Sequence, residues 1–339
     1  MTFVKSKIKK IILIIFLILL VFLLALFIFL ARRPSGTTEN IEWNVAFSKY
    51  FAQKMDLDWK ETYLAILDDL KPKTLRLPIY WEDVEPQSDV YSFVDYDWMV
   101  QQAAQKNVKL ILVIGRKLPR WPECHIPSWA APLNAASQQT MLLKTLPEIV
   151  NHFKNINNLY LWQVENEPFL PFGECPLMGA DFLDKEIEAV RSADAAHQIM
   201  ITDSGELSIW LRAAKRADIF GTTMYRMVWN KFLGYYKYPL PPQFFWLKAN
   251  LIHLFYPQKP IVVSELQGEP WAHTMPYETS LEEQFKSMNL QQFIENINYA
   301  KQVGFSQVYL WGAEWWYWLK TKHNQPEIWE AAKSIINNQ

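Results

Sequence analysis

The chain opens on an unbroken apolar run from Ile11 to Ala31, preceded by Lys5, Lys7, Lys9 and Lys10 and followed by Arg32, Arg33 and Pro34. About 20 consecutive apolar residues suffice to span a bilayer as a helix. A cleaved signal peptide carries a shorter apolar region and a small-x-small cleavage site, and neither fits this run. Residues 1–33 therefore predict a retained anchor, a basic tip followed by one transmembrane helix. Positive charge is heavier before the run than after it, which predicts a cytoplasmic N-terminus and a single-pass protein whose remaining chain is extracytoplasmic. Residues 34–40 (Pro-Ser-Gly-Thr-Thr-Glu-Asn) read as a linker, and residues 41–339 as one domain.

Beyond the linker, short apolar runs alternate with amphipathic stretches. The predicted strands are Trp43–Phe47, Thr74–Ile79, Lys109–Ile114, Leu159–Val164, Ile199–Thr202, Ile219–Met224, Pro260–Ser264 and Gln307–Trp311. Helical patterns follow at Trp59–Leu70, Tyr96–Lys106, Ala135–Lys154, Asp181–Ser192, Ser208–Ala217, Pro242–Phe255, Leu281–Val303 and Pro326–Asn338. Eight strand–helix units in strict alternation predict an α/β protein whose parallel sheet closes into a (β/α)8 TIM barrel. An open doubly wound sheet would show a Gly-rich first turn, and Ala46-Phe47-Ser48 contains no glycine. The 339 residues leave, after the anchor, a length usual for one such barrel.

Composition narrows the chemistry. The net charge is -1 and no long basic run lies outside the N-terminus, so nucleic acid is not an expected partner. With 16 Trp, 15 Tyr and 20 Phe against 10 Gly, the chain carries more aromatic surface than a core alone requires. Flat rings suit the apolar faces of sugars, because they present large area at low rotamer cost. The two cysteines, Cys124 and Cys175, exclude a multi-cysteine metal site or a dense disulfide framework. They fall after the third and fourth strands, neighbours in a barrel, so one disulfide is an expectation that an extracytoplasmic location permits. No His-x-His, His-Glu-x-x-His or Gly-x-Ser-x-Gly pattern occurs, which argues against a metal, and no cofactor is expected.

Polar residues gather where the strands end. The stretch Leu159-Tyr-Leu-Trp-Gln-Val ends in Glu165-Asn166-Glu167-Pro168, and Ile261-Val-Val-Ser ends in Glu265. Barrel chemistry sits at the C-terminal ends of the strands. Carboxylates on the fourth and seventh strands would face each other across the mouth, as glycoside hydrolysis requires: one protonated acid, one ionised group facing the anomeric carbon. Arg76 and Tyr225 are candidate donors to the ionised member, and Asn166 a candidate contact to a sugar hydroxyl. Trp81, Trp121, Trp271, Trp315 and Trp316 are candidate sugar platforms, each with core or loop packing as the competing reading. Arg116, Arg120 and His125 fill a Pro-rich loop, where pairing with loop carboxylates competes with substrate contact.

Trp162-Gln-Val-Glu-Asn-Glu-Pro168 resembles the Asn-Glu-Pro motif on strand four of the clan A glycoside hydrolases, retaining enzymes built on a (β/α)8 barrel. The resemblance implies Glu167 as acid/base, Glu265 as nucleophile, and Arg76, Tyr225 and Trp311 as substrate-site residues. A His two positions before the strand-six Tyr, common in that clan, is Thr223 here, and Glu269 is a second candidate for the nucleophile. The expected function is hydrolysis of a β-linked oligo- or polysaccharide by double displacement. A glycan-binding barrel without catalysis and a transglycosylase on cell-envelope glycan are the alternatives.

Overall fold

The computed structural model describes residues 2–338; the side chains of residues 2–8 and 11, with Lys5 and Lys7 of the basic tip, lie outside the described residues. Eight parallel strands close on themselves: β1 Glu42–Ala46, β2 Thr74–Pro78, β3 Lys109–Ile114, β4 Leu159–Val164, β5 Gln198–Asp203, β6 Ile219–Met224, β7 Ile261–Gln267 and β8 Gln307–Trp311. Each pairs with its neighbours in sequence, and β8 returns to β1 through the register Glu42↔Gln307. The strands are apolar on both faces because both are covered. On β4, Leu161 points inward to Ile111, Met200 and Val262, while Leu159, Trp162 and Val164 join the outer layer beneath the helices.

Helices Ala135–Phe153, Ala180–Ala193 and Pro242–Phe255 fall close to or on their predicted ranges. Two predictions are corrected. The helix expected over Ser208–Ala217 is one turn, Leu211–Ala214, because Trp210 takes φ 73° immediately before it. The helix expected over Leu281–Val303 is two, Leu281–Gln284 and Leu290–Val303, each opened by its own side-chain cap, Ser280 and Asn289. The structure adds an antiparallel hairpin, Met227–Asn230 with Gly234–Lys237, above β6. It also adds a Trp-rich helix, Ala313–Lys322, after β8.

The strand most consequential for the site is β7. Thr222 pairs with Val263, but Thr223 pairs with Glu265, so Ser264 is an extra residue. The opposite neighbour shows the same step, from Val308↔Val263 to Leu310↔Leu266. Side chains alternate faces along a strand. Val262 points into the barrel and Val263 outward, so regular alternation would aim Glu265 into the helical layer. The bulge at Ser264 restores Glu265 to the mouth, the re-aiming that bulges provide beside active sites.

The helix Thr2–Leu30 precedes the barrel, and its Ile12–Leu30 portion is long and apolar enough to cross a membrane. Where it ends, Asn250 Nδ2 donates to the carbonyls of Leu30 and Arg32, both at 2.7 Å, and the Thr38 amide donates to Gly304 O at 2.8 Å. The segment read as a linker is thus bonded to the helical layer.

Cys124 and Cys175 are bonded, with Cα atoms 4.8 Å apart, and tie the loops after β3 and β4. They stand 51 residues apart in sequence, a span whose closure constrains the unfolded chain. Replacing both by Ser is expected to lower unfolding stability by about 2–5 kcal/mol. Denaturant titration of the purified protein checks this, and an unchanged midpoint would contradict it.

Candidate active site

The end of β4 is held in an unusual backbone. Glu165 takes φ 59° and Glu167 φ 43°, the left-handed region that residues with a Cβ seldom occupy. Each such residue costs of the order of 1–3 kcal/mol unless its surroundings hold it. Glu165 supplies much of that hold: its carboxylate accepts from the amides of Arg116 at 2.8 Å and Lys117 at 2.5 Å. Gly115, φ 139°, makes this contact possible, since a Cβ there would lie 2.7 Å from the Glu165 carboxyl carbon. The amide of Glu167 in turn donates to Thr202 Oγ1 at 3.0 Å. The strained turn thereby delivers Asn166 and Glu167 to the mouth and keeps Glu165 behind it.

Arg76 on β2 lies fully buried at the centre. Its Nε donates to Gln163 Oε1 at 2.7 Å, Nη1 to Glu265 Oε1 at 2.8 Å and Nη2 to Asn166 Oδ1 at 2.9 Å. Tyr225 O–H donates to the other oxygen, Glu265 Oε2, at 3.0 Å. Both oxygens of Glu265 therefore accept hydrogen bonds, one charge-assisted from the guanidinium and one from a hydroxyl.

Glu167 has the opposite surroundings. Thr223 Oγ1 donates to its Oε1 at 3.0 Å, and no guanidinium or ammonium bonds to it among the described residues. Burial first, then the like charges of Glu265 and Glu123, hold its carboxyl well above the usual carboxylate range. Glu167 and Glu265 line one cavity of about 230 Å³, with Glu123, Glu206, Tyr225 and Trp271 among its other walls. Glu123 is held by Lys117 Nζ at 3.0 Å. Burial raises Glu206 to about 8, partly countered by the bond from the Tyr225 amide. Among the described residues, no group of three or more His, Cys, Asp and Glu is arranged to hold a metal ion.

The structure thus brings together Arg76, Asn166, Glu167, Tyr225 and Glu265. Arg76 and Asn166 stand behind the cavity wall, and Trp81, Trp121, Trp311, Trp315 and Trp316 do not line the cavity. Trp81 is fully buried, its Nε1 donating to Glu85 Oε2 at 2.7 Å and its ring edge-on to Trp129. Trp121 stands 44% exposed on the rim against Phe172. Trp311 is on the barrel side of the mouth, but the Arg120 guanidinium covers it at 3.8 Å from the ring centroid. Trp315 and Trp316 are core, bonded to Gln284 and to Gly268 O. Of the platforms only Trp271 faces the cavity, packed on Tyr225 and continued by Phe172. Glu269 is ion-paired to Arg120 at 2.5 Å and does not line the cavity.

Gln163, Thr202, Glu123 and Thr223 join the site without a sequence motif to mark them. A glutamine at an inward position of an apolar strand was the available signal for Gln163. The others carried none.

Residues 37–315 match the family Cellulase (glycosyl hydrolase family 5). The chain belongs to that family. It is a glycosidase on a closed eight-stranded barrel. Solved structures agree in fold. Xylanase 10B from Thermotoga maritima superposes with TM-score 0.56 at 15% identity, over 89% of this chain and 97% of that one. The β-galactosidase of the Antarctic haloarchaeon Halorubrum lacusprofundi gives 0.54 at 12%, covering 80% and 52%. That of Rahnella sp. R3 gives 0.54 at 10%, covering 81% and 50%. This chain spans about half the length of those β-galactosidases.

A carboxyl whose pKa is raised on folding costs stability progressively as pH climbs from the unfolded value toward the folded one. This glycosidase is therefore expected to gain thermal stability at neutral pH on E167Q. The gain should vanish near pH 4, where Glu167 is protonated in both states. Melting scans of both proteins at the two pH values check it; a gain independent of pH would contradict it.

Proposed function

We propose that the chain is a membrane-anchored, extracytoplasmic retaining glycosidase acting on a β-linked glycan, with Glu265 as nucleophile and Glu167 as acid/base. The observation that carries this reading is the contrast between two carboxyls on one cavity. One accepts from Arg76 and Tyr225, and the other is buried among like charges with a single hydroxyl donor. A buried carboxyl held above the usual carboxylate range suits the acid/base role.

In the first step Glu265 attacks the anomeric carbon and the bond to the leaving oxygen breaks, while Glu167 passes its proton to that oxygen. The glycosyl group is then an ester of Glu265. In the second step Glu167 takes a proton from water, the water oxygen attacks the anomeric carbon, and Glu265 leaves as carboxylate. Arg76 anchors Asn166 by its Oδ1, leaving Nδ2 as the donor for a sugar hydroxyl. Trp271 offers the stacking face. The apolar helix before the barrel, with basic residues ahead of it, supports anchorage with the barrel outside the cytoplasm.

Hydrolysis of an aryl β-glycoside panel, followed by proton NMR of the first-formed sugar, tests the reading. The expected product keeps the β configuration, and E265A abolishes turnover; it also leaves Arg76 without its carboxylate and lowers stability, so the assay is run where circular dichroism shows the variant folded. An inverted product, or near-normal turnover by E265A, would contradict it. E167Q is expected to lower kcat/KM by about 10²–10⁴-fold on substrates with poor leaving groups.

The alkaline limb of activity should report Glu167 losing its proton, above the usual carboxylate range. Thr223 favours the ionised form by donating to it, so T223V is expected to move that limb to higher pH. A limb that stays in place, in pH profiles of kcat/KM, would contradict the assignment.

A further inference from the structure

The catalytic pair divides the barrel mouth. Reading around the ring, β5 and β6 lie on one side of the line from β4 to β7, and β8, β1, β2 and β3 lie on the other. Two carboxyls that flank a scissile bond oblige the glycan to pass between them, one part of the chain to each side. The two sides are built differently.

On the β5–β6 side the cavity is open, walled by residues that follow β4 to β7, such as Phe172, Glu206 and Trp229, with Glu123 after β3 as the wall nearest the other side. On the other side the mouth is filled. Arg120 sits there at φ 88°, a backbone that its contacts must hold in place. Its guanidinium lies between the rings of Phe51 and Trp311, 3.7 and 3.8 Å from their centroids. It bonds to Glu269 at 2.5 Å and to Glu314 at 2.7 Å, and all five residues are buried. Burial alone would lower the pKa of Arg120, but the charges of Glu269 and Glu314 raise it, so the plug keeps its charge. Glu314 also accepts from the Ser48 amide at 2.5 Å, and Ser48 Oγ meets Tyr80 O–H at 2.7 Å. Loops following β1, β2, β3, β7 and β8 are thereby locked together over the ground a second arm of glycan would need.

We propose that Arg120 closes one half of the mouth and makes this enzyme act at chain ends, with Arg120 the residue that sets this specificity. The proposal rests on the Glu167–Glu265 reading. Among the described residues, none that lines this cavity follows β8, β1 or β2, and the Arg120 cluster occupies the ground on that side, so a glycan would extend from the scissile bond in one direction only. The Trp311 face, which the family resemblance gives to substrate, belongs to the protein's own guanidinium.

The test uses the full chain in detergent with gluco-, xylo- and galacto-oligosaccharides of three to six β-linked units, labelled at the reducing end. Products are sized at early times. The expected result is cleavage at one fixed distance from one chain end at every length. Early cuts distributed along the interior would overturn the proposal. E265A run beside the wild type separates the two claims. Internal cleavage that depends on Glu265 defeats the one-sided mouth alone, and cleavage that persists in E265A defeats both. In R120G/E269Q/E314Q no buried charge of the trio loses its partner, and internal products are expected to rise at least tenfold. A folded triple variant with the wild-type product pattern would overturn the role of Arg120.

Discussion

A guanidinium with no access to water holds the centre of this molecule. Arg76 spends all three of its nitrogens on protein acceptors, one each from Gln163, Glu265 and Asn166. A buried ion pair is tolerated only when its geometry and remaining hydrogen bonds offset desolvation, and breaking it costs about 3–5 kcal/mol. The same three bonds join β2, β4 and β7, so the interaction that holds the Glu265 carboxylate also fixes its distance from the β4 turn. Stability and chemistry at this site have one cause.

The remaining features of the mouth follow from keeping Glu265 and Glu167 unlike. The bulge at Ser264 turns Glu265 inward to Arg76 and Tyr225. The left-handed turn at Glu165 and Glu167 brings the other carboxyl to Thr223, with no cation bonded to it among the described residues. Glu165, two residues from Glu167 and of the same residue type, has its oxygens bonded to the Arg116 and Lys117 amides and stays out of the cavity. Acidic residues in one short stretch thus diverge because backbone geometry, not residue type, selects their surroundings. The second set of ion pairs, around Arg120, repeats the device of a buried guanidinium between carboxylates, but there it fills space.

Much of this was legible in the sequence for a physical reason. Strands buried on both faces are continuous apolar runs, so all eight could be placed, and a Glu that ends such a run falls at the mouth. Arg76, Asn166, Glu167, Tyr225 and Glu265 were legible on that basis together with the Asn-Glu-Pro resemblance. The bulge was not, because Ser264 looks like any strand residue. Nor was the fate of Trp81, Trp121 and Trp311, since a tryptophan serves a core and a cleft equally well and only its neighbours decide. Arg120 was harder still. Its partners stand 149 and 194 residues away, and no local pattern announces an ion pair over that separation. The break between Gln284 and Leu290 had a local signal in Ser280 and Asn289, both good helix caps, which the apolar periodicity across the gap outweighed.

The claim on which the account turns is that the carboxylate held by Arg76 and Tyr225 bonds to the sugar. An activated glycoside with fluorine in place of the 2-hydroxyl slows release of such an ester more than its formation, so the adduct accumulates. Mass spectrometry of the treated protein and its peptides is the most direct measurement. The account predicts a mass increase of one glycosyl unit, confined to the peptide containing Glu265 and lost in E265A. A label on Glu269, or steady turnover of the unsubstituted glycoside with no adduct at any time, would contradict it.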